Sequence, residues 1–191
     1  MEIFYQTIYI FLLAAILAFI EIQIEGPHGW VANLPVWRPK PGSKIERLQN
    51  FLKIKKPLTG YHLGLLFFLL VLVHLPFIFG SAWSWPAEFK MLAFYAFWLF
   101  IEDFLWFILN PHFGLKKFKS EHIWWHDKWL IGAPADYYTA LIVSFLLYLP
   151  VKPIISASIF EWLKVLITFI VLTVLISLVV ETTKLVKSKS R

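Results

Sequence analysis

Cysteine is absent from the 191-residue chain. That excludes disulfides, thiolate catalysis and sulfur-ligated metals, and leaves imidazole and carboxylate as the candidate ligands. Charge is scarce as well. Charged residues make up 16% of the sequence against 59% hydrophobic, and the mean hydropathy is +0.69, which is no profile for a water-soluble domain. There is no long polar linker, so residues 1–191 are expected to form a single transmembrane domain. The start lacks the basic residues of a secretory signal: Glu2 stands there, and no small-residue cleavage site follows the apolar run. The segment therefore reads as a retained helix.

What the chain has instead is ten tryptophans, nineteen phenylalanines and long apolar runs between basic loops. This pattern marks a polytopic membrane protein. The expected fold is all-α, a bundle of about five transmembrane helices at about 3–25, 60–80, 91–110, 134–150 and 156–181, each near the ~20 residues that cross a bilayer. Two loops, 26–59 and 111–133, are each expected to carry a short amphipathic helix. The first begins at a capping box, Ser43 to Glu46, with Ile45, Leu48 and Leu52 at helical spacing behind it. The second runs from Ser120 to Ile131 and ends at Gly132.

The basic residues orient the bundle. Arg38, Lys40, Lys44, Arg47, Lys53, Lys55 and Lys56 fall in the first loop; Lys116, Lys117, Lys119 and Lys128 in the third; Lys184, Lys187, Lys189 and Arg191 in the tail. The second and fourth loops hold only Lys90 and Lys152. The positive-inside rule then puts the N-terminus outside and the C-terminus and both large loops in the cytoplasm. A net charge of +6 would suggest nucleic acid for a soluble protein. Here the cations flank spans, so the expected partners are anionic membrane lipids and not nucleic acid.

This topology gathers Glu21, Glu25, His28, His62, Glu102, Asp103, Asn110, His112, His122, His126 and Asp136 at the cytoplasmic side. His74 and Glu161 fall elsewhere. Glu102 and Asp103 are adjacent acids inside an apolar helix, a costly placement that marks function; the alternative is a buried ion pair with Arg38 or a loop lysine. His122 and His126 are four apart, the spacing for two ligands on one metal if the segment is helical. The alternative is an interfacial helix anchored by Trp124, Trp125 and Trp129. Glu25 and His28 have a Glu-x-x-His count, but Gly26-Pro27 breaks the helix that motif requires. His62, at the mouth of the second span, suits a ligand or general base, or else a loop hydrogen bond.

These residues lead to a membrane-embedded, metal-dependent enzyme acting on a lipid or other hydrophobic substrate at the cytoplasmic face. Glu25, Glu102, His112, His122 and His126 are the expected metal ligands. Asp103, His62 and Asp136 are the catalytic candidates that move protons or orient ligands. Arg38, Trp106, Asn110 and Trp125 are the substrate contacts. Mixed oxygen and nitrogen donors suit iron, manganese or zinc; iron favours oxidation, the preferred reading, and zinc hydrolysis. The alternatives are a proton-coupled transporter or channel using the same cluster, and a non-catalytic scaffold locked by it. A single HxxxH sets the chain apart from membrane desaturases and hydroxylases with clustered histidine boxes, and it lacks the paired aspartate-rich motifs of polyprenyl transferases.

Overall fold

The structure, a computed structural model, describes residues 2–51, 56 and 58–189, the last six without side chains. Leu52, Lys53, Lys55 and Arg191 lie outside the described residues, as do the side chains of the other tail cations. The described residues are about 70% helix. Its α-helices are α1 (Glu2–Glu25), α2 (Lys44–Phe51), α3 (Gly60–Val73), α4 (Leu75–Ile78), α5 (Trp85–Leu109), α6 (Ala135–Tyr148) and α7 (Ile155–Lys189). Three of them are long and apolar enough to cross a membrane: α1, α5 and α7 over Ile155–Thr183. That points to a membrane location. α3 and α6 are shorter apolar helices.

α5 is the axis of the fold. Its apolar window is 61% buried inside the protein, against 22% for α1 and 11% for α7, so α5 is wrapped by protein while the other two face outward. α1, α3, α6 and α7 all pack on it. Lipid tails are as apolar as leucine, so close packing rather than escape from water holds such helices together. α1 approaches through Thr7, Phe11, Ala14 and Ala18, one face at helical spacing with both alanines fully buried. Small residues let the backbones come close. On α5, Phe97 lies against Phe169 and Trp162 of α7 at ring separations of 5.1 and 5.8 Å.

Local chemistry sets the helix ends. α5 begins at Trp85, six residues before the expected start at 91, because the Ser84 hydroxyl accepts from the Ala87 N–H at 3.3 Å and Pro86 sits in the first turn. The expected single helix over 60–80 is interrupted at His74. Pro76 cannot donate to the carbonyl of Leu72, so the helix stops and one further turn, α4, follows. α2 forms as the capping box predicts: the Glu46 N–H donates to Ser43 at 3.3 Å, and the Glu46 carboxylate accepts from the Gly42 N–H.

The helix expected from Ser120 to Ile131 does not form. Burial there alternates, with Ile123, Trp125 and His126 inside and His122 and Trp124 exposed. Tertiary packing of these side chains overrides the helical spacing. The segment ends in a two-stranded hairpin, β1 (Trp129–Leu130) with β2 (Ala133–Pro134), in register Trp129 to Pro134 and Leu130 to Ala133. Ile131 and Gly132 form its turn, at φ +47° and +80°. Two consecutive positive φ values are what a tight two-residue hairpin requires.

Candidate functional site

Adjacent residues on an α-helix diverge by about 100°, and Glu102 and Asp103 use that divergence. Glu102 turns toward α1, where its carboxyl contacts that of Glu21. Asp103 turns toward α6 and the third loop, where it accepts from the Tyr137 hydroxyl and meets His126 Nε2 at 3.0 Å. One helix therefore serves two polar clusters, and both line the same cavity.

The first cluster is acidic. Glu21 and Glu25 share a face of α1, and His62 comes to them from the first turn of α3, with Nε2 at 3.8 Å from Glu25 Oε1. One ligand atom from each of Glu21, Glu25 and His62 lies within 4.8 Å of the other two, close enough to hold a metal ion. Glu21 also contacts the Tyr61 hydroxyl. Carboxyls in contact need a positive charge between them, a proton or a cation. Around the ring of His62, Nδ1 lies 2.6 Å from the Thr59 hydroxyl, Thr59 itself being fully buried. The tautomer with Nδ1–H donating to Thr59 leaves the Nε2 lone pair facing Glu25, the arrangement that orients ligating histidines. The Trp30 ring stacks on the imidazole at 3.7 Å.

Glu25 is held by a strained loop. Gly26, Gly29, Trp30 and Val31 all have positive φ, between +43° and +61°. A β-branched residue such as Val31 rarely adopts this conformation, and such strain collects at functional sites. The conformation turns the Val31 N–H onto Glu25 Oε1 at 2.9 Å, and the Trp30 backbone also bonds to that carboxyl. Gly29 is under a second constraint, since a Cβ there would sit 2.5 Å from the Trp125 ring. That ring is itself stacked on Phe107 at 5.8 Å, which limits its retreat. Gly29→Ala is accordingly expected to lower the thermal midpoint in detergent, at a cost of about 1–3 kcal/mol, and to change the Trp125 fluorescence.

The second cluster is an ion-pair chain. His126 is buried between Asp103 and Asp136, the latter 3.3 Å from Nδ1, and Asp136 pairs with Lys56 at 3.0 Å. Burial acts to lower the His126 pKa, but its hydrogen bonds to the two carboxylates outweigh it and hold the imidazole above its ordinary value.

The cavity between the clusters measures about 610 Å³, within the usual range for small-molecule sites. α5 forms its floor from Leu92 to Trp106, with Leu65, Leu66 and Leu69 of α3 on one side and Val143 and Leu147 of α6 on the other. Its polar end carries two unsatisfied atoms. Among the described residues, Glu102 Oε1 and Trp106 Nε1 are buried without a hydrogen-bond partner, one turn apart on α5.

The expected site residues therefore divide. Glu25, Glu102, Asp103, His62, His126, Asp136, Trp106 and Trp125 all line the cavity. His112 and His122 do not come to it; both are exposed and border a separate surface depression with Pro27 and Glu121. Without the helix over 120–131, His122 and His126 do not share a face. His28 is exposed too. Arg38 donates to the carbonyls of Val31, Leu34 and Val36 at 2.8–3.3 Å, which organises the first loop. Asn110, fully buried, ties the end of α5 to Gly26 O at 3.0 Å and accepts from the His112 N–H. Glu21, Tyr137 and Lys56 stand outside the expected site set, Lys56 reading from the sequence as a topology signal. Glu21 carried a signal in its i, i+4 relation to Glu25; Tyr137 carried only its place beside Asp136. The chain matches no known family, no curated protein and no solved structure.

Proposed function

We propose that the protein is an integral-membrane, metal-dependent enzyme acting on a lipid or other hydrophobic molecule at the cytoplasmic side of the bilayer. In this reading α3 and α6 cross with α1, α5 and α7, giving five spans, N-terminus outside and C-terminus in the cytoplasm. The observation that carries it is the Glu21, Glu25 and His62 group opening onto a cavity with otherwise apolar walls. Glu102, in contact with Glu21, is a fourth oxygen donor. A carboxylate-rich set with one imidazole suits iron or manganese, with zinc the further choice. Iron would make the reaction an oxidation.

His126, between two carboxylates at the edge of the cavity, is the proton carrier in this scheme. Asp103 and Tyr137 fix its position, and Asp136 with Lys56 links it to the aqueous side. The residues suited to proton transfer stop at one end. Leu92 and Leu147 line the other, and that apolar lining counts against a proton or ion path across the membrane. The two unpartnered atoms on Glu102 and Trp106 favour a ligand over a purely structural lock, which would satisfy its own polar groups. The test is the metal content of the detergent-purified protein beside folded Glu25→Gln and His62→Ala variants. A folded wild type that stays metal-free after reconstitution with iron, manganese and zinc would sink the proposal.

A further inference from the structure

The shape and charge of the cavity define what it can take. Resting on the metal reading above, we infer that the substrate is a single-chain amphiphile with a small uncharged head, a hydroxyl, and is neither a phospholipid nor a fatty-acid anion.

Three observations lead there. The first is charge. The carboxyls of Glu21, Glu25, Glu102, Asp103 and Asp136 line the polar end, and the cations facing them are already engaged. Lys56 pairs with Asp136 and lies 4.9 Å over the Trp30 ring, His126 sits between two carboxylates, and a divalent ion would be neutralised by its own acids. A phosphate or carboxylate headgroup would enter this end with no cation to meet it, and a buried unpaired charge is among the costliest arrangements in a protein.

The second is complementarity. Glu102 Oε1 is an acceptor without a donor, and Trp106 Nε1 is a donor without an acceptor. Both residues are nearly fully buried, at 8% and 3% exposure. A hydroxyl is the smallest group that donates and accepts at once. It satisfies both atoms beside the Glu21, Glu25 and His62 group.

The third is space. From Leu92 to Trp106 the floor runs about 21 Å along α5 at 1.5 Å per residue, between two walls of leucine, valine and alanine. Leu66 and Val143 on opposite walls are 38% and 42% exposed, so the trench opens sideways onto the surface that faces lipid. Above the polar end, Trp125 packed on Gly29 and the Trp30 ring over His62 form a roof. The trench has the length for a chain, and the two tryptophans limit the room for a headgroup above the polar end.

Direct binding of radiolabelled 1-hexadecanol, hexadecanoate and hexadecylphosphocholine to the metal-loaded protein in nanodiscs tests this. The alcohol is expected to bind about tenfold or more tighter than either charged probe, as the cost of an unpaired buried charge implies. Ala96→Phe, which fills the trench, should cut alcohol binding by a similar factor while metal content stays unchanged. Val143→Trp does the same from the exposed wall should Ala96→Phe fail to fold. Equal binding of all three probes, or no effect of either folded trench variant, would overturn the inference. Selective alcohol binding by a protein that never holds metal would leave the substrate class standing and remove the metal reading.

Discussion

His62→Ala is expected to lower metal affinity by more than the roughly 10–100-fold typical of losing an outer-shell partner, because it removes the single nitrogen donor of the group. Glu25→Gln should act alike, since the amide keeps the contact with the Val31 N–H but loses the negative charge that holds a cation. Thr59→Val belongs one step further out. It frees the imidazole to rotate, and its effect should fall within that outer-shell range. His122→Ala should leave metal content unchanged, since His122 lies on the surface beside Glu121. Metal analysis of the folded variants decides the matter. A metal that survives His62→Ala but is lost with His122→Ala would move the site to the exposed loop histidines.

Asp103→Asn is expected to be the most destabilising single change at the polar end. Removing one partner of a buried charge pair costs about 3–5 kcal/mol, and here the loss falls on His126 and on the Tyr137 hydroxyl together. A conservative amide at Asp136, half in solvent and shared with Lys56, should cost much less. The same pair gives a pH signature. The His126 pKa is raised in the folded protein, so its stabilisation is fully present below the unfolded histidine value near ~6.5 and is lost as pH rises through the folded value. The stability gap between wild type and His126→Gln should therefore be widest on the acid side and shrink above that window. Asp103, Asp136, Lys56 and Tyr137 face the imidazole, and Asp103→Asn should remove most of the effect. A gap that grows with pH would contradict the assignment.

The membrane class and all the apolar helices were legible from length and hydropathy, because the bilayer demands both. Of the polar residues that the span order places together, Glu25, His62, Glu102, Asp103, His126 and Asp136 do line one cavity, while His28, His112 and His122 stay outside it. Which acid faces which neighbour was not legible. α1 and α5 are apolar nearly all round, so no hydrophobic stripe orients them; only packing shows that Glu102 meets Glu21 while Asp103 meets His126. The third loop misled for a different reason. Its HxxxH spacing is helical, yet Trp125 and His126 are each captured by partners on α5, and one residue of offset sends them inward while His122 stays outside. Arg38 and Asn110 looked like substrate contacts because they are polar residues beside the site, and they spend that polarity on loop carbonyls instead.

α3 is the loosest wall of the cavity. It packs chiefly on α5, with Tyr95 donating to Leu66 O at 3.1 Å along its length, the His74 to Glu88 pair at 2.9 Å at one end and His62 beside Glu25 at the other. An ion bound by Glu21, Glu25 and His62 would join α1 to α3 and fix the width of the gap into which a chain slides. Occupancy of the trench and occupancy of the ion site are then two ligands acting on one movable wall. Thermodynamic reciprocity requires that whatever factor the ion contributes to chain affinity, the chain returns to ion affinity. The coupling would then be read as a shift in ion affinity at limiting metal, while at saturating metal the open and the filled trench keep the same complement.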